Sequence, residues 1–428
     1  MSWSSCLEGV GSAVIGGRRG SMMRSTSLQR SFQRVALAAL GFASACEEGP
    51  SLEPIMLVED SSGVRVVHVP DLYDLDLPAW KTERLYSTAE GASATQLYQV
   101  ADALFLSDKS LLVANAGSSE VLQFDSVGNL VRHIGGRGDG PGEFSTLRWL
   151  GAGSDRSFWA FDGRLTRFDY AGQLLETRRV DAAWLVGAVQ PLAVLNDGRM
   201  VSVLGTQTVF GHDGGGRRDT VPLFVVASDD SGVDTIATWL GLERAFAQTA
   251  AGMALVPIGF GRTLFSGAHV DRIVIGSTDS LDITVFESGT EVSLRLHGRT
   301  ATRPVSAHDE SAWRDWIVAN SPLQTAEFLR AWENAPVRAT YPAFDGLETD
   351  PLGRVWVGDF VLPTARTRRW VVFGNDGAPI GTVALPFLPP RRLPGRTELL
   401  AVGTDRVAVL GTNEWDEESV AVWLVNAK

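Results

Sequence analysis

Cysteine is nearly absent from this chain. Its 428 residues include two, Cys6 and Cys46. Both fall near the N-terminus, so the body can form neither a disulfide framework nor a cysteine-based zinc site. Lysine is almost as scarce: Lys81, Lys109 and Lys428 are all there are, and arginine supplies the remaining positive charge. No apolar run approaches the roughly 20 residues that a membrane-crossing helix needs. No G-x-S-x-G element is present to form a nucleophile elbow. The glycine-rich stretch at 133–144 lacks the Lys-Ser/Thr of a phosphate loop. The six histidines (His68, His133, His212, His269, His297 and His308) are not spaced as metal ligands within any one segment.

The composition that remains is that of a globular protein with a large core, 44% hydrophobic and 21% charged. Formal net charge is −12; residues 1–45 hold five arginines and one glutamate, a net of +4, which leaves −16 on the rest. A surface of that sign repels nucleic acid and anionic lipid headgroups, so neither is an expected partner.

The N-terminal stretch "RSTSLQRSFQRVALAALGFASAC" (24–46) reads as a sorting signal. Arg24, Arg30 and Arg34 form a positive region, followed by an apolar run of about a dozen residues and then small residues before a cysteine. The pattern is similar to a bacterial lipobox in which Cys46 would carry the lipid, with Ala43 where leucine is usual; Ala43-x-Ala45 equally suits ordinary signal cleavage. Residues 1–45 are therefore read as the signal, with 1–21 as an over-long start ahead of Met22 and Met23. Residues 46–60 read as a tether, which would place the protein in the cell envelope through a lipid anchor, or release it as a soluble exported protein.

From residue 61 a repeated unit appears. "ALFLSDKSLLVANAGSSEVLQFDSVGNLVRHIG" (103–135) has short apolar runs separated by turn signals, and "SVGN" is a tight hairpin turn in which Gly128 takes positive φ. The pattern returns at 157–180 and 355–385, and in weaker copies at 271–296 and 405–425. A sixth copy opens at 192–205 and closes at 222–240. Small antiparallel sheets repeated at this spacing have two apolar faces each, which they bury on their neighbours in a ring or a stacked array. The expected fold is all-β: a six-bladed β-propeller over 61–428 with four-stranded antiparallel blades, a linear β-solenoid being the alternative. The lone early strand "VRVVHVP" (64–70) is expected to complete the C-terminal blade and latch the ring.

"HIGGRGDGPGEF" (133–144) then reads as a structural crossing from the outer strand of one blade to the inner strand of the next. Gly138, Gly140 and Gly142 permit the tight path, Pro141 stiffens a turn, and Phe144 is expected to plug the gap between blades. This segment after "QFDSVGNLVRHI", with "DPLGRVWVGD" (350–359), resembles the bacterial six-bladed propeller proteins of the NHL-like group. The resemblance covers 104–147 and 340–385, and implies a secreted or lipid-anchored propeller without implying a particular chemistry.

Residues 306–335 break the β pattern. Trp313, Trp316 and Ile317, and again Leu329 and Trp332, fall at helical spacing. Ser321, Pro322 and Gln324 read as the cap, first turn and capping box of a second helix. The segment is expected to be a helical hairpin inserted between blades, either packed on the propeller or covering one face as a lid.

Two functions follow from these readings. One is an envelope binding or scaffolding module, a monomer that presents its axial face to a protein, peptide or carbohydrate and needs no cofactor. The other is a lactonase- or lyase-type enzyme with a metal, calcium above all, at the axis. For such a metal, Asp162 and Asp359 are the candidate ligands. They are read as lying just after inner strands, while the commoner role of such aspartates, with Asp108, Asp169, Asp197 and Asp376, is to cap turns.

Overall fold

In the computed structural model of the chain, residues 57–90, 95–180, 189–204, 217–229, 232–249, 252–298, 303–320, 325–388, 398–413, 415 and 417–427 are described. Cys46 and the leader read at 1–45 lie outside them.

Among the described residues the strands form six mainly antiparallel sheets. Sheet 1 comprises Val100–Phe105, Leu111–Asn115, Glu120–Phe124 and Leu130–Gly135, and sheet 2 comprises Trp149–Ala152, Ser157–Phe161, Arg164–Asp169 and Leu174–Arg179. Sheet 3 comprises Val189–Val194, Met200–Leu204, Arg217–Val226, Val233–Thr249 and Gly252–Pro257. Sheet 4 is built on Leu264–His269, Arg272–Ser277, Leu281–Glu287 and Glu291–Gly298. Sheet 5 comprises Leu347–Thr349, Val355–Gly358, Thr367–Phe373 and Pro379–Pro386. Sheet 6 comprises Leu399–Val402, Arg406–Thr412, Glu418–Asn426 and Lys81–Ser87.

The first strand of each sheet, in the order just given, packs against the first strand of the next, and that of sheet 6 returns to that of sheet 1. Each seam between neighbouring sheets holds its own apolar cluster. This explains the strand sequences. Leu111–Asn115 is buried along its whole length because sheets press on it from both sides, whereas the outer strand Leu174–Arg179 is largely exposed and charged. Sheets that bury both faces on their neighbours about a common axis are the architecture of a β-propeller.

The N-terminal strands pair differently from the sequence-based expectation. Val64–Val69 does not complete the C-terminal sheet. It runs parallel to Glu291–Gly298 at the edge of sheet 4, and Leu57–Ser61 pairs with it as a hairpin. That hairpin begins inside the stretch read as a tether. The C-terminal sheet is closed instead by Lys81–Ser87, antiparallel to Glu418–Asn426. The physical reason lies in the side chains: Val67 and Val69 are buried in the seam between sheets 4 and 5, while in "KTERLYS" only the last two residues, Tyr86 and Ser87, are buried. An outer strand with one wet face carries little apolar signal.

Antiparallel alternation places the crossings between sheets, and the turns after second strands, at one end of the axis. The insertion emerges at this loop-rich end. Helix α1 (Ala307–Ala319) is capped by Ser306 in a reciprocal box with Asp309, and helix α2 (Ala326–Glu333) is capped by Thr325. Thr325 replaces the expected cap Ser321; Ser321, Pro322 and Gln324 lie outside the described residues. Strand Val233–Thr249 extends beyond its sheet and pairs with Gly252–Pro257 as a projecting hairpin. Trp313 and Ile317 of α1 are buried against Ala245, Val256 and Phe260, with Trp316 and Trp332 packed beside them. The helices and the hairpin thus share a satellite core.

Candidate functional site

The six first strands enclose a cavity of about 340 Å³ on the axis. Its size falls at the lower end of the range for small-molecule sites. Four side chains among its lining residues can carry charge: Asp102, Arg148, His269 and Glu348.

Asp102 sits at a bulge in the first strand of sheet 1, where the pairing with the second strand shifts register between Val100 and Asp102. Bulges re-aim side chains. Here Oδ1 accepts from the Ala103 N–H at 2.9 Å, and Oδ2 accepts from the Leu150 N–H of the adjoining first strand, also at 2.9 Å. Asp102 is thereby held as a staple between sheets 1 and 2. Glu348 stands in the middle of the three-residue strand Leu347–Thr349. It faces the cavity, with no hydrogen bond or ion pair to a protein group among the described residues. Burial, with the negative charge of Asp102 across the channel, pushes its carboxyl well above the usual range. Room for it comes from Gly267 on the neighbouring first strand. A Cβ there would lie 2.9 Å from Glu348 Cα and 3.1 Å from Glu348 Oε2.

His269 ends the first strand of sheet 4, at the opposite end from the loops. Burial lowers its pKa, against the pull of Asp350 and Asp271, so the ring is neutral at pH 7. Arg148 is exposed and lies just before the first strand of sheet 2, at the loop-rich mouth.

The residues singled out from sequence lie elsewhere. Asp162 and Asp359 follow second strands, not inner ones, so they sit at the loop-rich end away from the channel wall. Each is tied to an arginine. Asp162 Oδ2 binds Arg164 Nη2 at 2.8 Å and accepts from the Ser145 N–H at 2.9 Å. Burial raises its pKa, but these bonds outweigh burial and hold the carboxyl below the ordinary value. Asp359 Oδ2 accepts from Arg369 Nε at 2.7 Å. Among the described residues no three His, Cys, Asp or Glu side chains converge as a metal site. Asp108, Asp169, Asp197 and Asp376 each accept from a backbone N–H two to four residues on, as turn caps.

In the glycine-rich crossing, Phe144 is fully buried between sheets 1 and 2, its ring 6.1 Å from that of Phe168. Gly135, at φ +82, leaves room for it: a Cβ there would meet the Phe144 ring at 2.3 Å. The Gly140 N–H donates to Glu143 Oε2 at 2.9 Å, and the exposed Pro141 and half-buried Gly142 form the turn of the loop. The Gly138 N–H donates to the Phe144 carbonyl at 3.2 Å, and the Asp139 carbonyl accepts from Arg164. The Arg-Gly-Asp triplet is thus held by its own neighbours.

Sequence reasoning missed Asp102 and Glu348. The available signal was a carboxylate inside an otherwise apolar short run, in "VADALF" and "GLETD". It also missed two exposed aromatics at the loop-rich end, Trp415 at 77% and Tyr98 at 56% exposure.

No protein-family model matches the sequence, and no curated protein does. Solved structures do match in outline. One is a Bacteroides fragilis protein inferred to be exported, at 13% identity, covering 85% of this chain and 99% of that one with TM-score 0.45. Another is a DUF4221-family member from Bacteroides vulgatus, at 10% identity over 83% and 98% with TM-score 0.42. A third is the calcium-binding protein regucalcin from Agrobacterium tumefaciens, at 10% identity over 82% and 96% with TM-score 0.39.

Proposed function

We propose that the chain is a six-bladed β-propeller of the cell envelope, exported by its leader, held by lipid at Cys46, and acting as a binding module whose ligand enters the axial channel. The blade count is supported by the cycle of six first strands. The observation that carries the binding role is Glu348: a carboxyl group lining a cavity of about 340 Å³ with no protein partner among the described residues. A carboxyl group that faces a cavity without a protein partner is one that a ligand's donor can satisfy. A metal-dependent lactonase or lyase is less well supported, because Asp162 and Asp359 are each engaged by an arginine. Trp415 and Tyr98 give the loop-rich face apolar rings on which a peptide or sugar can stack.

Hydrogen exchange on protein purified from membranes tests this reading. On adding a soluble envelope extract, protection is expected in Val100–Phe105 and Leu347–Thr349, and intact-mass analysis should show a lipid-modified Cys46 as first residue. Protection confined to α1 and α2, with those strands unchanged, would refute the channel as the binding site. An unmodified Cys46 would remove the anchor.

A further inference from the structure

We propose that the axial channel selects an organic cation, a primary ammonium or guanidinium group, which Glu348 and Asp102 receive between them; this rests on the reading of the channel as a ligand site. Three features lead to it. The deep charges of the cavity wall are carboxylates, whereas its one arginine, Arg148, stands exposed at the mouth, and His269 is neutral. Asp102 lines the same cavity, is fixed by two backbone N–H donors, and acts on Glu348 through its negative charge. Glu348 has no protein donor among the described residues, and Gly267 holds open the space beside its Oε2.

A low-dielectric channel focuses the field of such charges, so a cation gains there and an anion loses. The donor set favours an organic cation over a divalent metal. Two carboxylates can take two hydrogen bonds from one ammonium, whereas a hard divalent ion seeks six or more oxygens. No third His, Cys, Asp or Glu side chain completes such a set among the described residues.

The near absence of cysteine supplies a direct test. Ser266 lines the channel, and the parent chain has only Cys6 and Cys46 as background thiols. The full chain carrying Ser266→Cys is treated with three thiol-specific methanethiosulfonates of similar size, one cationic (trimethylammonium), one anionic (sulfonate) and one neutral. Modification at position 266 is followed by peptide mass spectrometry. The cationic reagent is expected to modify the introduced thiol at least 10-fold faster than the anionic one. In Ser266→Cys with Glu348→Gln, that ratio is expected to fall several-fold, while the neutral rate stays the same. Equal rates for the two charged reagents, or a ratio unmoved by Glu348→Gln, would overturn the cation preference and leave the channel standing as a site. Failure of all three reagents to reach the introduced thiol, in a protein whose circular dichroism matches the parent, would instead overturn the channel as a binding site, and the cation proposal with it.

Discussion

Phe144 and Arg368 each fill a seam between neighbouring sheets, and they do so by opposite means. At the seam between sheets 1 and 2, a fully buried ring packs on Leu112, Ile134, Phe158 and Phe168. The nearby carboxylate, Asp162, has all the partners it needs. At the seam between sheets 5 and 6, a guanidinium 2% exposed is shared by Asp345 Oδ2 at 2.9 Å and Glu398 Oε2 at 3.4 Å, and it stacks on Phe387. Among the described residues, neither oxygen of Glu398 accepts a hydrogen bond of proper geometry, and Arg368 Nε has no acceptor. Burial, opposed by Arg368, lifts the Asp345 carboxyl to about 6; burial lifts that of Glu398 to about 7. One seam is apolar, and its nearby carboxylate titrates only in acid. The other is ionic, incompletely bonded, and sensitive to protons near neutrality.

The strongest way to break this contrast is Phe144→Ala. It should cost about 3–5 kcal/mol, as large-to-small changes of buried rings do, and by the same amount at pH 5 and pH 8 in urea unfolding. Arg368→Met should cost about 3 kcal/mol or more at pH 8, where two buried carboxylates lose their countercharge. At pH 5 the loss should shrink, since both carboxyls can then take up protons. Equal losses at the two pH values would show that Arg368 acts by packing alone.

Glu398→Gln sharpens the comparison. A carboxyl whose folded pKa is raised contributes its full stability below the unfolded pKa and loses it as pH climbs to the folded one. Wild-type stability from this group should therefore decline from about pH 4.5, the ordinary glutamate value, to about 7. The Gln variant should lack that decline, so its denaturation midpoint gains on wild type as pH rises. Asp162→Asn is the smallest change, about 1 kcal/mol for a lost hydrogen-bonded charge. Its sign is reversed: a lowered carboxyl stabilises above the ordinary value near 4 and loses that effect as pH falls, so the variant should differ from wild type at pH 6 and converge on it in acid.

What could be read from the sequence follows the same division between apolar and polar seams. Strands such as Leu111–Asn115 and Val355–Gly358 announce themselves because neighbouring sheets demand apolar residues throughout. Their turns announce themselves through glycines at positive φ, Gly128 and Gly377 among them. The crossing loop was legible for the same reason, since the backbone path needs glycine and the seam needs Phe144. Lys81–Ser87 was not legible, because an outer strand with a wet face has the composition of a loop. The channel wall was hidden by brevity: Leu347–Thr349 is three residues long and Trp149–Ala152 four, too short for alternation to show. Its two carboxylates come together only when strands about 250 positions apart in the chain close the ring, and nothing local marks that meeting.

The ring itself rests on the pairing of Lys81–Ser87 with Glu418–Asn426, in which Glu83 faces Leu424. The full chain carrying Glu83→Cys and Leu424→Cys, oxidised and mapped by peptide mass spectrometry, tests that closure most directly, with Arg65→Cys and Leu424→Cys as the rival. A disulfide between positions 83 and 424, and none between 65 and 424, is the predicted outcome. The reverse pattern would place the first strand of the body on the last sheet and contradict the closure described here.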